Sequence, residues 1–199
     1  MVKEGFPFII IPAIIGGVLL FFHWWVLAAV FILIAAFMAF FFRDPERAIP
    51  DEANIVVAAA DGRVTRVDEG ENGKLVSVFL SPLDVHINRS PIAGRITKVE
   101  YTLGKKLPAT SDNASFVNER NSLTIEGEKI TVVCTQIAGI MARRIVCWNK
   151  PGDELEIGQR LGLIKFASRT DVLMPSSVNI LVGIGDRVVG GETIIARLS

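Results

Sequence analysis

The chain has 199 residues and a balanced charge, with 21 lysines and arginines against 21 aspartates and glutamates. This length allows one substantial domain with an appendage, and the balanced charge excludes a nucleic-acid binder held by bulk electrostatics. The two cysteines, Cys134 and Cys147, stand in apolar, strand-like contexts without a CxxC spacing. We predict that they are reduced thiols of a cytoplasmic protein and form neither a disulfide nor a metal site.

The N-terminal region is apolar over residues 5–42, where His23 is the only ionisable side chain. A single helix of this length would be about 57 Å long, nearly twice the hydrocarbon core of a bilayer. Residues 22–25, Phe-His-Trp-Trp, form a natural break, because histidine and indole side chains prefer the membrane interface. We therefore predict a helical hairpin, spanning or re-entrant, with arms over residues 6–22 and 26–42. Residues 1–47 would form this membrane-associated unit.

The charges that flank the hairpin indicate its orientation. Lys3 precedes it, and Arg43 and Arg47 follow it, so the positive-inside rule places both ends on the cytoplasmic face of the inner membrane. A signal peptide is disfavoured, because the apolar run is too long and lacks a small-residue cleavage site. The alternative is a buried helical pair in a soluble core. The predicted partner is the phospholipid membrane.

The sequence after Pro45 and Pro50 consists of short β-branched runs separated by glycine turns. This pattern, without a long amphipathic helix, predicts a mainly β domain over residues 48–199. A near-repeat supports the prediction: residues 61–67 read DGRVTRV and residues 93–99 read AGRITKV. Residues 150–159 and 182–191 share a second pattern of Gly-Asp, an apolar residue and a later glycine. Such phrases resemble the half-motifs of biotinyl/lipoyl-like β-sandwich barrels, although the lysine of a swinging-arm carrier is absent.

Three polar residues of this domain are candidates for chemistry. His86 is its only histidine and hence its only imidazole base. Asp61 precedes a glycine at a strand-to-turn junction and could orient that base, and Ser168 follows Ala167 after an apolar run. Taken singly, an Asp-Gly pair usually forms a turn, a lone histidine is usually structural, and an Ala-Ser pair is too common to indicate a function.

Several longer phrases carry a resemblance to a known family. Over nearly its whole length, and in the family order, the chain resembles phosphatidylserine decarboxylase of the short, single-domain prokaryotic type. The phrases are residues 41–47 (FFRDPER), 60–63 (ADGR), 80–91 (LSPLDVHINRSP), 118–120 (NER), 138–145 (AGIMARRI) and 158–169 (GQRLGLIKFASR).

The resemblance implies a pyruvoyl-dependent enzyme that is made from a self-cleaving precursor. Cleavage between Ala167 and Ser168 would give a β chain, 1–167, and an α chain, 168–199, that begins with a pyruvoyl group made from Ser168. Asp61, His86 and Ser168 would be the self-processing set, and neither a metal nor pyridoxal phosphate would be needed. The enzyme would convert phosphatidylserine to phosphatidylethanolamine and carbon dioxide, because the pyruvoyl carbonyl supplies an electron sink that side chains lack.

Substrate contacts and assembly follow less directly from the resemblance. Arg89 and Arg169 are candidates for substrate binding, together with Asn88, because a guanidinium fork suits a phosphate or a carboxylate. Exposed barrel edges are compatible with a homodimer. No nucleic-acid partner is expected.

Two residues depart from the family pattern. Longer family members carry a second histidine three positions after the first, where this chain has Arg89. Glycine usually precedes the serine, whereas here the added methyl group of Ala167 can slow a strained acyl shift. We therefore predict a chain held at or near the proenzyme stage, through an engineered block or as a natural slow variant. The alternatives are a non-catalytic membrane-tethered β-barrel module, a decarboxylase of an archaeal ether-lipid serine, and a soluble amino-acid decarboxylase.

Overall fold

The structure is a computed structural model that describes residues 1–70, 73–105, 107–108, 114–139, 144–165 and 168–198. The chain divides into two compact units, Met1–Glu46 and Arg47–Ser199. The first unit is helical and the second is mainly β. The predicted fold class, a β-rich domain preceded by an apolar helical pair, is confirmed.

Two helices joined by a tight turn make up the first unit. A short 3-10 helix, Lys3–Gly5, leads into α1, Phe6–Phe21, and α2 covers Trp25–Phe41. The chain turns at His23, which has a positive φ of 64°. The helices end where the sequence predicted the break, because the interface-seeking residues of this turn separate two uninterrupted apolar runs.

Small residues and aromatic rings hold the two helices together. Phe8 of α1 stacks on Phe42, just after α2, with ring centroids 5.5 Å apart, so the helices run antiparallel. A Cβ added to Gly16 would lie 3.0 Å from Ile32 and 3.4 Å from the backbone oxygen of Ala28. This glycine therefore allows the close approach of α2.

The remaining surface of the hairpin is apolar and exposed. Phe21, Val26 and Leu33 are 78%, 83% and 69% exposed, and contiguous apolar surfaces of this kind mark membrane or partner contacts. The helical stretch Lys3–Phe21 is long and apolar enough to cross a membrane, whereas Trp25–Phe41 is a shorter apolar helix. These features are consistent with membrane association.

Within the described residues, the second unit contains fourteen strands and one short helix, α3, Ala114–Val117. They form three sheets with the orders β1-β14-β12, β4-β10-β8 and β13-β2-β3-β11-β7-β6-β5-β9. The strands are β1 Ile55–Val57, β2 Gly62–Gly70, β3 Gly73–Leu80, β4 Ile87–Arg89, β5 Gly94–Thr102, β6 Arg120–Glu126, β7 Thr131–Ala138, β8 Ile145–Cys147, β9 Glu154–Leu155, β10 Arg160–Ile164, β11 Ser168–Met174, β12 Val178–Ile180, β13 Arg187–Val188 and β14 Ile194–Leu198.

The eight-stranded sheet contains an internal repeat. β2 and β5 carry the two near-repeat phrases, and each pairs with a long strand on one side and a two-residue strand on the other. Both ladders shift register at the same point of the phrase, between Val64 and Arg66 and between Ile96 and Lys98. The sequence repeat is thus a repeat of strand, bulge and pairing.

The second pair of phrases also shares its backbone conformation. Gly152 and Gly158 have φ values of 97° and 73°, and Gly185 and Gly191 have values of 100° and 81°. Residues with a side chain rarely adopt this region. Gly158 and Gly191 also contact each other, since a Cβ added to Gly191 would lie 3.5 Å from the Cα of Gly158. Glycine therefore recurs in the two phrases because the same positions have a positive φ in both.

One hydrophobic core receives side chains from all three sheets. It contains alternate residues of the central strands and residues of the small sheets, among them Val76, Val78, Leu80, Val172, Met174, Val56, Leu161 and Ile195. Successive side chains of a strand point to opposite faces. Ser168 and Thr170 precede the core residue Val172 by four and two positions, so they lie on the same, core-facing side of β11.

Both cysteines are free thiols, as predicted, and they should differ in reactivity. Burial raises the pKa of Cys134 to about 12 from an ordinary value of 9.0. The stability that this neutral thiol contributes is therefore complete below about pH 9 and is lost as the pH rises towards 12. We expect iodoacetamide to modify Cys147 alone in the native protein and both thiols in denaturant, as read by intact mass. Equal native rates for the two thiols would contradict the burial of Cys134.

Candidate active site

Ser168 opens β11 at the centre of the eight-stranded sheet. It pairs with Leu80 at the end of β3 and with Ala138 at the end of β7. Its side chain is fully buried, and Oγ has no hydrogen-bond partner among the described residues. Buried hydroxyls are normally satisfied, and the exceptions often mark chemistry. Residues 165–167 connect β10 of a small sheet to β11, and Ala167 lies outside the described residues.

His86 lies beside the same connection. Ile164, the last residue of β10, donates its backbone N–H to the carbonyl of His86 at 3.3 Å, so His86 and Ser168 lie at the two ends of residues 165–167. The ring Nδ1 lies 2.9 Å from the backbone oxygen of Asp84. Because a carbonyl only accepts, Nδ1 is the donor of this bond, and in the neutral ring Nε2 then carries the lone pair that a general base needs.

The turn before His86 is fixed by the side chain of Asp84. Its Oδ2 accepts from the backbone N–H and the hydroxyl of Ser81 at 2.8 and 2.7 Å, and its Oδ1 accepts from Arg187 at 2.6 Å. The backbone N–H of Asp84 in turn donates to the carbonyl of Ser81 at 2.9 Å, so reciprocal bonds close the turn over residues 81–84. In this structure a backbone carbonyl therefore orients the imidazole, where the sequence suggested the carboxylate of Asp61.

Asp61 binds other groups. Both of its carboxylate oxygens accept from Nη2 of Arg47 at 2.9 Å, and Oδ1 also accepts from the backbone N–H of Gly190 at 2.8 Å. The described residues show no hydrogen bond between Asp61 and His86. The role of Asp61 in the self-processing set stays a prediction.

The sheet register nevertheless brings the three predicted residues to one end of the sheet. Arg63 of β2 pairs with Phe79 of β3, which in turn pairs with Arg169 of β11. Asp61 and Ser168 lie just beyond this row on their strands, and the turn that carries His86 leaves β3 at the same end. Gly62 is required there, because a Cβ would lie 2.0 Å from the facing backbone oxygen of β3.

Asn88 is fully buried and belongs to a chain of polar side chains. Its Oδ1 accepts from Nε2 of Gln136 at 2.9 Å, and its Nδ2 donates to Oγ1 of Thr170 at 3.0 Å. Nδ2 of Asn121 donates to Oε1 of Gln136 at 3.0 Å. This network reaches β11 two residues from Ser168. Both ends of the Asn88 amide are used inside the fold, and substrate binding by Asn88 stays a prediction.

We expect Asn88→Ala to lower the free energy of unfolding by about 2–4 kcal/mol, because it leaves Gln136 and Thr170 without their buried partners. Urea denaturation followed by circular dichroism measures the change. Asn179→Ala, which removes an exposed asparagine of β12, is the matched control. Equal effects of the two substitutions would show that the network contributes nothing.

The two candidate arginines are buried and held by protein groups. Nη1 of Arg89 donates to the carbonyl of Gly158 at 3.0 Å. Nε of Arg169 pairs with Oδ1 of Asp171 at 2.9 Å, and its Nη2 donates to the hydroxyl of Ser115. Because neighbours in a strand face opposite ways, Arg169 lies on the sheet face opposite to Ser168. Substrate binding by either arginine stays a prediction.

Sequence reasoning missed three supporting residues. Arg47 neutralises Asp61, and Asp84 fixes the turn of His86. Nδ2 of Asn118 donates at 2.8 Å to the carbonyl of Ala138, the strand neighbour of Ser168. All three stand in the phrases 41–47, 80–91 and 118–120, so the polar positions of those phrases were the available signal.

The described residues hold no group of three His, Cys, Asp or Glu side chains placed to bind a metal ion. They do bring a buried serine and a buried histidine to one sheet end of a β domain. A buried serine and a buried histidine at one end of a sheet are a candidate active site.

Comparison with known proteins defines the family. The family model for phosphatidylserine decarboxylase matches residues 34–196. Phosphatidylserine decarboxylase proenzymes of Symbiobacterium thermophilum and Geotalea uraniireducens are 48% and 44% identical to the chain, over 98% of it and over 94% and 95% of their own lengths. That of Gluconobacter oxydans is 50% identical over 82% of the chain and 77% of its own length. The chain belongs to the phosphatidylserine decarboxylase family, and it is an enzyme.

Proposed function

We propose that the chain is the self-processing precursor of a pyruvoyl-dependent enzyme that converts phosphatidylserine to phosphatidylethanolamine and carbon dioxide. The observation that carries the proposal is the buried hydroxyl of Ser168, which lacks a hydrogen-bond partner among the described residues and follows a short connection between two sheets. The substrate is supported by the names of the relatives, which match nearly the whole chain.

Self-processing would begin with transfer of the Ser168 hydroxyl proton to Nε2 of His86. Oγ attacks the carbonyl carbon of residue 167, the C–N bond breaks, and the freed nitrogen takes up a proton, which leaves an ester. Loss of the Cα proton and of the Cβ–Oγ bond then releases the carboxylate of residue 167. The dehydroalanine at position 168 takes up water and loses ammonia, which yields the pyruvoyl group.

Asp61 would support this reaction by holding the end of the sheet in place. Its ion pair with Arg47 leaves these side chains only 15% and 7% exposed. The same carboxylate fixes the backbone at Gly190, close to β13. The arrangement favours a positioning role for Asp61, without contact to the imidazole.

The surroundings of position 168 fit a small neutral carbonyl group. Leu80 and Ala138 flank it in the sheet, and both are fully buried. The carbonyl of a pyruvoyl group supplies the electron sink for loss of carbon dioxide. Nε2 of His86 would be available to hold or return a proton, and the buried strand ends limit the access of water.

The α chain would stay in the fold after cleavage. β11 lies between β3 and β7, β13 pairs with β2, and β14 pairs with β1. Each of these ladders joins residues 168–199 to the β chain, so we expect the two chains to separate only on denaturation.

Attachment and assembly are part of the same proposal. The helical unit over residues 1–47 would hold the enzyme at the inner membrane, with the β-rich catalytic domain, 48–199, on the cytoplasmic face. A lipid substrate could then present its headgroup while its chains stay in the bilayer. We keep a homodimer as a proposal, because β9 and β13 are sheet edges and unpaired edges favour association.

Ala167→Gly is expected to speed self-processing by about five- to thirtyfold, because an acyl shift that passes through a left-handed backbone would cost alanine about 1–2 kcal/mol more than glycine. Intact mass and denaturing electrophoresis over time would show loss of the 21.7 kDa chain. Fragments 1–167 and 168–199 should replace it, the second with a blocked amino terminus.

Ala138→Gly, on the strand beside Ser168, is the control and should not speed cleavage. If Ala167→Gly stays full-length, the self-processing proposal fails. A cleaved protein that releases no carbon dioxide from phosphatidylserine would overturn the proposed substrate.

A further inference from the structure

We propose that the end of the eight-stranded sheet that carries Ser168 is a second membrane-contact surface, by which the β unit touches anionic lipid headgroups. The proposal rests on the proposed function, because it describes how that site meets a lipid in a bilayer. We call this surface the lipid-contact end and define it by six exposed residues: Leu83, Leu103, Lys105, Leu107, Phe116 and Arg144.

The register of the sheet shows that these residues share one end with Ser168. A single row of paired residues crosses six strands: Arg63, Phe79, Arg169, Ile137, Arg120 and Thr102. Ser168 lies one residue beyond this row on β11. Leu83 follows β3, Leu103 and Lys105 follow β5, and Phe116 precedes β6, so they lie beyond this row. The carbonyl of Arg144 accepts from the backbone N–H of Lys165, three residues before Ser168, at 3.2 Å.

The apolar members of the surface are too exposed to be core residues. Leu103 is 81% exposed, Phe116 71% and Leu83 64%. Single exposed apolar side chains are common on proteins. Several large ones at the sheet end that carries a candidate active site, in a family named for a lipid substrate, indicate a surface that another apolar phase covers.

Hydrogen bonds join Lys105 and Leu107 to the end of α3. The backbone N–H of Lys105 donates to the carbonyl of Val117 at 2.7 Å. The side chain of Asn118 both accepts from and donates to the backbone of Leu107, at 3.0 and 2.8 Å. Asn118 also binds the carbonyl of Ala138, the neighbour of Ser168. The apolar side chains are therefore presented outward by a backbone that is tied to the candidate active site.

Charge favours an anionic bilayer as the occupant. Lys105 and Arg144 are exposed, and Lys105 stands two positions from both Leu103 and Leu107 in the chain. The acidic neighbour Glu119 is buried and accepts a hydrogen bond from Tyr101. Interfacial segments combine apolar side chains that enter the headgroup region with cations that attract anionic lipids.

The first test uses the full chain in nanodiscs that contain phosphatidylserine. Cysteines introduced by Leu103→Cys and Phe116→Cys, in a Cys147→Ser background, are labelled with an environment-sensitive fluorophore. Glu128→Cys, in the exposed turn between β6 and β7 at the opposite sheet end, is the matched control. We expect a blue shift and quenching by brominated lipid at 103 and 116 only. Labels at 103 and 116 that stay in water, as at 128, would overturn the proposal.

The second test separates the surface from the proposed function. Leu103→Ser combined with Phe116→Ser should lower kcat/KM on long-chain phosphatidylserine vesicles by about tenfold or more, with an unchanged kcat on a dispersed short-chain analogue. Equal losses on both substrates would contradict a membrane role. A membrane role would also be contradicted if the parent self-associates in detergent and the double variant does not. Absence of activity in the cleaved parent on both substrates counts against the proposed function alone, because the labelling still tests the surface.

Discussion

Ser168→Ala is expected to abolish self-processing, so that the chain stays at full length even after prolonged incubation. The variant should also release no carbon dioxide from phosphatidylserine. Without Oγ, nothing at this position can attack the carbonyl of residue 167, and no precursor of the pyruvoyl group exists. The fold should be kept, because the substitution removes only a buried hydroxyl that has no hydrogen-bond partner among the described residues. Intact mass in the Ala167→Gly background, where cleavage is fastest, measures the effect.

Ser77→Ala is a closely matched control for this substitution. Ser77 lies on the adjacent strand β3, is also fully buried, and also has no partner for its hydroxyl among the described residues. Its removal should leave the rate of cleavage unchanged. Fragment 168–199 from the Ser168→Ala chain would refute Ser168 as the nucleophile.

His86→Ala is expected to slow self-processing by about 10²- to 10⁴-fold, the usual contribution of a positioned general base. The bond from Nδ1 to the carbonyl of Asp84 supports this role, because it places the proton of the neutral imidazole on Nδ1 and the lone pair on Nε2. The first-order rate of cleavage, followed by electrophoresis, is the measurement.

The other histidine of the chain supplies the control for His86. His23 lies in the turn of the helical hairpin, where its ring contacts Trp25, and His23→Ala should leave the rate of cleavage unchanged. A rate for His86→Ala close to that of the parent would assign proton transfer to another group.

The helical unit shows how much composition alone can predict. A run of residues 5–42 without a charged side chain must be helical if it meets lipid, since backbone groups must then bond within the segment. The interface-seeking residues at 22–25 fix the break, and α1 and α2 end beside it. The near-repeats of the β unit could also be found in the sequence, because bulges and positive-φ glycines require particular residues at particular spacings.

The sequence predicts which residues form the candidate site, and their roles stay predictions, but it does not predict their contacts. Asp61, His86 and Ser168 were found as an ordered set, yet Asp61 binds Arg47 and the backbone of Gly190, 14 and 129 positions away. The partner of His86 is a carbonyl, which every residue possesses, so no residue type could signal it. The side chain of Asp84, which fixes the turn before His86, was visible in the sequence only as a polar position of the phrase 80–91.

The sequence by itself determined the kinds of elements, the family and the residues able to do chemistry, because these depend on local patterns and residue identity. Only the tertiary structure decided that Ser168 and Arg169 face opposite sides of the sheet, that Asn88 is bonded within the fold, and that several exposed apolar residues lie beyond the sheet end that carries Ser168. Those facts depend on register between strands far apart in the chain, and a shift of one residue would turn each side chain to the other face. Register is set by the packing of the whole core, which no single segment contains.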